Sequence, residues 1–199
     1  MKSIIVDLDG TLYCGNTLHR YLLTAFTKSL AEGRIGTTTK IAWAYLLRGL
    51  RISSHHRFKQ RALIAAGHDA KLLDAFAKKA RPNLNTRLIN YIKQREKDGD
   101  YVLLATAAPD FYVSKLWNGP MVCSYFDDKN KLHECRSDMK LKAVLNHIKA
   151  KGLNRINTVI TDHYDDLPLL EVAEERLMVN PSTHTQSTLR IAGLVFSIF

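Results

Sequence analysis

The segment Asp7, Leu8, Asp9, Gly10, Thr11, Leu12 sets two carboxylates two residues apart in front of a glycine. In an extended chain end residues two apart share one face, so the two carboxylates would crowd each other there, and the pairing serves no purpose in packing a sheet. If the chain turns at Gly10, both reach one ligand. Held close, two carboxylates repel and shift each other's pKa unless a cation lies between them. Mg2+ meets that demand, because it takes hard oxygen ligands from one or two carboxylates, water and substrate phosphate. A carboxylate so placed can attack phosphorus to give an aspartyl phosphate that water later hydrolyses. For these six residues alone, a strand that merely ends in an Asp-Gly turn is the competing reading.

The elements that would carry this pair are legible on either side of it. Residues 2–8 read as a short buried strand, since a β-branched run bounded by a glycine turn suits the middle of a parallel sheet. From 17 to 80 the apolar residues take helical spacing, with Leu18, Tyr21, Leu22 and Ala25 on one face and Leu72, Leu73, Phe76 and Ala77 on another. Breaks near 33–36, at Ser53 and Ser54, and near Gly67 divide this stretch into about four helices, and Pro82 closes it. Residues 88–97 form an amphipathic helix, and Gly99 and Asp100 turn the chain into a second buried strand at 101–106. Leu141, Val144, Leu145 and Ile148 mark a further helix, 158–161 a third strand and 177–179 a fourth, ahead of Asn180 and Pro181. Residues 189–199 read as a last strand or helix packed on the core.

Alternating strands and helices predict an α/β fold, a Rossmann-like three-layer core with a parallel sheet, in which ligands bind beyond the carboxyl ends of the strands. The α/β core takes 1–13 and 86–199, and the helical insertion 14–85. Strand one ends in Asp7 and Asp9, strand two in Thr106, and strand three in Asp162, Asp165 and Asp166, so three separated segments converge on one crevice.

Composition narrows the setting. The 199 residues suffice for one buried domain and an inserted subdomain. Cys14, Cys123 and Cys135 are odd in number and widely spaced, with no zinc-ligand pattern, which points to a reduced, cytoplasmic compartment. No apolar export segment follows Met1, and no stretch approaches the roughly 18 apolar residues of a membrane span. The net charge of +10 is concentrated: residues 14–85 hold six Lys and seven Arg against two Asp and one Glu. Such a field attracts an anionic partner to the insertion.

The hexapeptide DLDGTL resembles the first motif of the haloacid dehalogenase superfamily of phosphohydrolases. The resemblance implies that Asp7 is the nucleophile, Asp9 the general acid/base, and Asp7 with the backbone carbonyl of Asp9 ligands to Mg2+. Gly10 and Thr11 would lie against the phosphate. Thr106 stands where the second motif has a Ser or Thr that hydrogen-bonds the phosphoryl oxygens, with Ala107 beside it. Residues 135–140, CRSDMK, resemble the third-motif segment of the phosphoserine-phosphatase-like branch, which makes Lys140 the phosphate-neutralising lysine, with Lys142 as competitor. Ser137 stands there where the pattern has Gly. VITDHYDDLPLL, 159–170, resembles the fourth motif, so that Asp162 ligates the metal and Asp166 supports it from behind. Thr161 and His163 depart from the usual neighbours of that Asp; Asp165 reads as a solvated loop carboxylate, and His163 either touches substrate or, as is commoner for a loop histidine, is incidental. Residues 177–182 resemble the segment that follows this motif.

The insertion between motifs one and two resembles a helical cap, so the resemblance implies a Mg2+-dependent phosphomonoesterase acting on an anionic, phosphorylated small molecule. Asp9 speaks against a dehalogenase, a phosphomutase remains a competitor, and a binding module is disfavoured because every chemical position is filled. Between Leu12 and Ala31 there is no acidic residue to read a substrate amine, which argues against phosphoserine. Three uses of the basic cap stay open: solvated charge, capture of a polyanionic metabolite or nucleotide, and docking at an anionic membrane surface to reach a lipid phosphate. No nucleic-acid motif is present.

Overall fold

A computed structural model describes residues 1–199. Seven strands form one sheet in the order β4-β3-β2-β1-β5-β6-β7. They are β1 (Ser3–Val6), β2 (Tyr101–Pro109), β3 (Met121–Phe126), β4 (Leu132–His133), β5 (Thr158–Thr161), β6 (Glu175–Met178) and β7 (Ser197–Ile198). All neighbours run parallel except the antiparallel β3–β4 edge.

The central strand shows why the sequence forms this sheet. Every residue of β1 is buried, and the side chains alternate between two cores. Ile4, Val6, Val102, Leu104 and Ile160 enter one apolar cluster, while Ile5, Leu103, Ala105 and Val159 enter the other. The period of two thus feeds both faces, and helices cover each.

Helices α1 (Thr17–Ala31), α2 (Ile35–Gly49), α3 (His55–Ala66), α4 (Ala70–Ala80), α5 (Thr86–Lys97) and the short α6 (Asp110–Val113) lie with the larger cluster. α7 (Ser137–Ala150), α8 (Leu167–Val172) and α9 (Thr183–Ile191) cover the other face. Asn16, Ser54, Asp69 and Asn85 each accept a backbone N–H as N-caps of α1, α3, α4 and α5, which fixes where these helices start. The four helices α1 to α4 therefore break where Gly33, Ser54 and Gly67 predict.

The larger cluster joins the helical insertion to the sheet without interruption, for Leu22, Ala62 and Phe76 belong to the same packed set as Val6 and Leu104. Tyr21 stacks on Tyr112 of α6 at 4.9 Å, and Phe76 packs against both rings. At the chain end, 189–199 supply both predicted alternatives: the last turn of α9, then β7 beside β6. The strands β3 and β4 have no counterpart in the expected elements. They form the sheet edge, and β3 is only half-buried over most of its length, so it lacks the uniform apolar run of the central strands.

Candidate active site

β1 lies between β2 and β5, which places the carboxyl ends of the three predicted motif strands side by side at the switch point of the sheet. Asp7 follows β1 directly and still donates its N–H to Ile160 of β5 at 2.9 Å. The next residues form a tight loop in which Gly10 takes φ +76°. A Cβ at Gly10 would stand 2.0 Å from the Asp162 Oδ2, so only glycine lets the carboxylate after β5 lie against this turn. Thr11 is fully buried and donates its hydroxyl to Asp162 Oδ1 at 3.4 Å, while its N–H goes to Leu8. It supports Asp162 instead of facing the cavity, which differs from the phosphate contact expected of it.

A cavity of about 510 Å³ opens over these strand ends. Asp7, Asp9, Gly10, Thr106, Ala107, Lys140, Asp162 and Asp166 all line it, so the structure brings together every predicted site residue except Thr11. Lys140 reaches it from the first turn of α7, only 4% exposed, and donates to Asp7 Oδ1 at 2.7 Å and to Asp166 at 2.7 and 2.9 Å. Lys142 is exposed and does not line the cavity. Asp166 also accepts from the Thr161 hydroxyl at 2.8 Å, so it anchors the lysine from beneath. Ser137, at the glycine position of the third-motif pattern, takes φ +51° at the start of α7. The backbone there is left-handed, which is why glycine suits that position.

Burial dominates the electrostatics. It raises the Asp7 carboxyl to about 7 against the opposing pull of Lys140. Burial also raises Asp9, moderated by the Thr17 N–H at the start of α1, which donates to Asp9 Oδ1 at 2.5 Å. Asp162 is raised in the same way. Lys140, between two carboxylates, is held firmly protonated despite its own burial.

A second cavity of about 450 Å³ adjoins the first, sharing Asp9, Ala107 and Arg136 with it. Between them stands a contact that spans the insertion and the core. Lys59 of α3, 3% exposed, donates to the Ala107 carbonyl at 2.7 Å and to Glu134 Oε1 at 2.6 Å. His56 bonds the other oxygen of Glu134 at 2.7 Å. Thr106, also buried, accepts from the Ala108 N–H at 3.0 Å where the ladder to β3 shifts register, so the backbone leaves the sheet at the cavity rim. Asp165, expected as a solvated loop carboxylate, pairs with Arg136 at 2.6 Å and lines both cavities. His163 caps the turn at 164–166 by accepting from the Asp165 N–H and lines the first cavity.

Residues 4–171 match the haloacid dehalogenase-like hydrolases. The chain belongs to that family. No match was found among curated proteins. Among solved structures, a protein of unknown function from Bordetella pertussis Tohama I superposes with a TM-score of 0.76 at 18% identity, covering 99% of this chain and 98% of that one. A phosphoserine phosphatase in apo form gives 0.67 at 12% identity, with 99% and 92% covered. A phospho-aspartyl intermediate analogue of phosphoserine phosphatase gives 0.64 at 14% identity, with the same coverages. At these identities the likeness is one of fold, and the fold is that of the phosphoserine-phosphatase-like branch.

In this haloacid dehalogenase-like hydrolase the cavity carries more buried acid than Lys140 offsets, since Asp7, Asp9 and Asp162 are all raised by burial. A hard divalent cation suits that imbalance. No three His, Cys, Asp or Glu side chains gather at metal-holding distance. Two carboxylates and one main-chain carbonyl need no third acidic side chain, and Mg2+ habitually completes its shell with water and phosphate oxygens. The donors Asp7, Asp162 and the Asp9 carbonyl therefore fit Mg2+.

Three contacts were beyond sequence reasoning: Thr17 on Asp9, and Lys59 with Glu134 at Ala107. The expected N-terminus of α1 was the only signal for the first, and the other two residues lie 75 positions apart. No helix is long and apolar enough to cross a membrane.

Proposed function

We propose that the protein is a Mg2+-dependent phosphomonoesterase in which Asp7 is the nucleophile and Asp9 the general acid and base. The observation that carries this reading is the Lys140 ammonium, buried and shared between Asp7 and Asp166 beside Asp9 in one cavity. A lysine so placed holds Asp7 below where burial alone would put it and offers a positive charge where a phosphoryl group must approach. Bound Mg2+, held by Asp7, Asp162 and the Asp9 carbonyl, would supply charge neutralisation at the phosphoryl oxygens.

Asp7 attacks phosphorus through one carboxylate oxygen, and the bond from phosphorus to the leaving alcohol oxygen breaks. Asp9, whose raised pKa keeps a proton at hand, gives that proton to the departing oxygen. Water then attacks the aspartyl phosphate and passes a proton back to Asp9. The bond from phosphorus to Asp7 breaks and inorganic phosphate leaves. Thr17 holds the Asp9 carboxyl in place for both transfers, and the Thr106 hydroxyl, which no protein group receives, donates to a phosphoryl oxygen.

The helices between β1 and α5 serve as the cap, and the second cavity beneath them receives the leaving group. Lys59 and Arg136 line it paired to Glu134 and Asp165, which leaves Arg48 as the cation free to meet a leaving group that carries negative charge of its own. Burial, followed by the charge of Lys59, lowers the pKa of His55, so Arg48 remains the unpaired permanent charge of this cavity. The test is hydrolysis of a panel of phosphorylated metabolites with and without Mg2+, with Asp7→Asn as the blank. Asp7→Asn should abolish turnover, and esters of acidic alcohols should be preferred over neutral ones. Tight ligand binding without any Mg2+-dependent hydrolysis by the wild type would sink the enzyme reading.

A further inference from the structure

The helical insertion carries a surface that the proposed reaction does not use. Residues 33–68 contain no Asp or Glu and seven Lys and Arg. Arg34, His56 and Lys59 form ion pairs with acids outside that stretch. Lys40, Arg48, Arg51, Arg57 and Arg61 are exposed and make none. The apolar residues are turned outward as well. α2 buries only Ile41 and Ala44 along its 15 residues. Trp43, Leu46 and Leu50 are 60%, 49% and 60% exposed, and their spacing of three and four residues puts them on one helical face. Between α2 and α3 runs a shallow groove of about 350 Å³, lined by Trp43 and Leu47, by Ile64 of α3, and by Lys40 and Arg61.

A helix on a protein surface turns its apolar stripe toward the core and its charges toward water. α2 exposes both together. We propose that this face of α2 and α3 docks on a membrane surface rich in anionic lipid. Trp43, Leu46 and Leu50 enter the boundary between headgroups and acyl chains, and Lys40 and Arg61, which line the groove beside Trp43, meet the lipid phosphates. The charge excess is complementary to anionic lipid and repels a second copy of the same face. A nucleic acid would use the cations but has no use for the exposed leucines. Arg48, on the other side of α2, lines the second cavity, so the docking helix is also a wall of that cavity. Docking does not depend on the catalytic reading.

The full chain is sedimented with vesicles of phosphatidylserine and phosphatidylcholine in about a 3:7 ratio, and with phosphatidylcholine alone, at low and high salt. Binding should need phosphatidylserine and weaken with salt. Brominated lipid should quench the Trp43 fluorescence. Lys40→Glu combined with Arg61→Glu should lower partitioning by roughly tenfold or more, and Trp43→Ala should weaken binding and abolish the quenching. Hydrolysis of a soluble aryl phosphate should be unchanged in each variant, which shows that the fold is intact. The proposal is overturned if anionic vesicles are not bound at low salt, if the charge reversals leave binding intact, or if the same residues bind heparin while vesicles go unbound.

Discussion

Replacing Lys140 by Met tests the arrangement at the centre of the site. The side chain is 4% exposed and its ammonium touches two carboxylates at 2.7 Å. Methionine keeps the length and apolar stem, so the main loss is the charge and not a cavity. Removing one partner of a buried ionic cluster costs roughly 3–5 kcal/mol, because the other charges are left buried and uncompensated. For a domain of this size that corresponds to about 6–20 °C in Tm, at about 2–4 °C per kcal/mol. Asp7 is already raised to about 7 with the lysine present. Without it, Asp7 moves further up, since Lys140 is what opposes its burial. A carboxyl raised in the folded state stabilises below its unfolded pKa, and that contribution is lost as the pH rises through the folded value. The variant therefore binds up to one more proton than the wild type above about pH 7, where each pH unit of descent closes the gap by up to about 1.4 kcal/mol, and below that Asp7 is protonated in both. Thermal unfolding in EDTA, at about pH 8.5 and about pH 7, should show a large Tm deficit that narrows by roughly 1–2 kcal/mol at the lower pH. A deficit under about 2 °C at the higher pH, or one that does not shrink at the lower, refutes the reasoning.

Two further substitutions probe parts of the site that the motifs do not include. Lys59→Met leaves Glu134 with His56 alone and frees the Ala107 carbonyl, which should cost about 3 kcal/mol in denaturant unfolding and raise KM more than it lowers kcat. Burial alone would raise Glu134, but Lys59 and then His56 hold it below the ordinary carboxylate range. The stability of this contact is present above about pH 4.3, the ordinary glutamate value, and is lost as the pH falls through the folded value, so the difference between wild type and variant should vanish in acid. Ser137→Gly removes the strain of a left-handed serine, about 1–2 kcal/mol, against a glycine entropy cost of about 0.5–1 kcal/mol, so a small rise in Tm is expected; a fall in Tm would show that the serine hydroxyl contributes at the start of α7.

The parts of the site that sequence reading reached are those that local pattern encodes. Asp7, Asp9 and Asp162 stand at the ends of buried β-branched strands, and a strand's burial is written in four consecutive residues. The choice between Lys140 and Lys142 was not local. Two residues apart on a helix, their side chains diverge by about 200°, and only the placement of α7 against the sheet selects Lys140. The Lys59 and Glu134 pair lay further out of reach, because it joins α3 to the loop after β4, and that edge hairpin carries no clear alternation. Thr11 could not be placed from its motif position alone: the glycine turn before it brings Asp162 close, and the threonine hydroxyl donates to that carboxylate.

The insertion divides its work unevenly between its helices. α1 and α4 give their apolar faces to the common core, where Tyr21 and Phe76 close around Tyr112, and α1 also supplies the Thr17 N–H that steadies Asp9. These two helices are built into the catalytic core by burial. α2 gives it Ile41 and Ala44 and little more. Its remaining apolar surface contributes nothing to the fold, since transfer free energy is gained only for area removed from water. α3 lies between these extremes: one side buries Phe58, Ala62 and Leu63, and from that side Lys59 reaches the rim of the cavity. Its outer side carries Arg57 and Arg61. A surface event at α2 thus has a route to the reacting groups through α3 and Lys59, the one buried charge of the insertion, which touches the carboxyl end of β2 at Ala107.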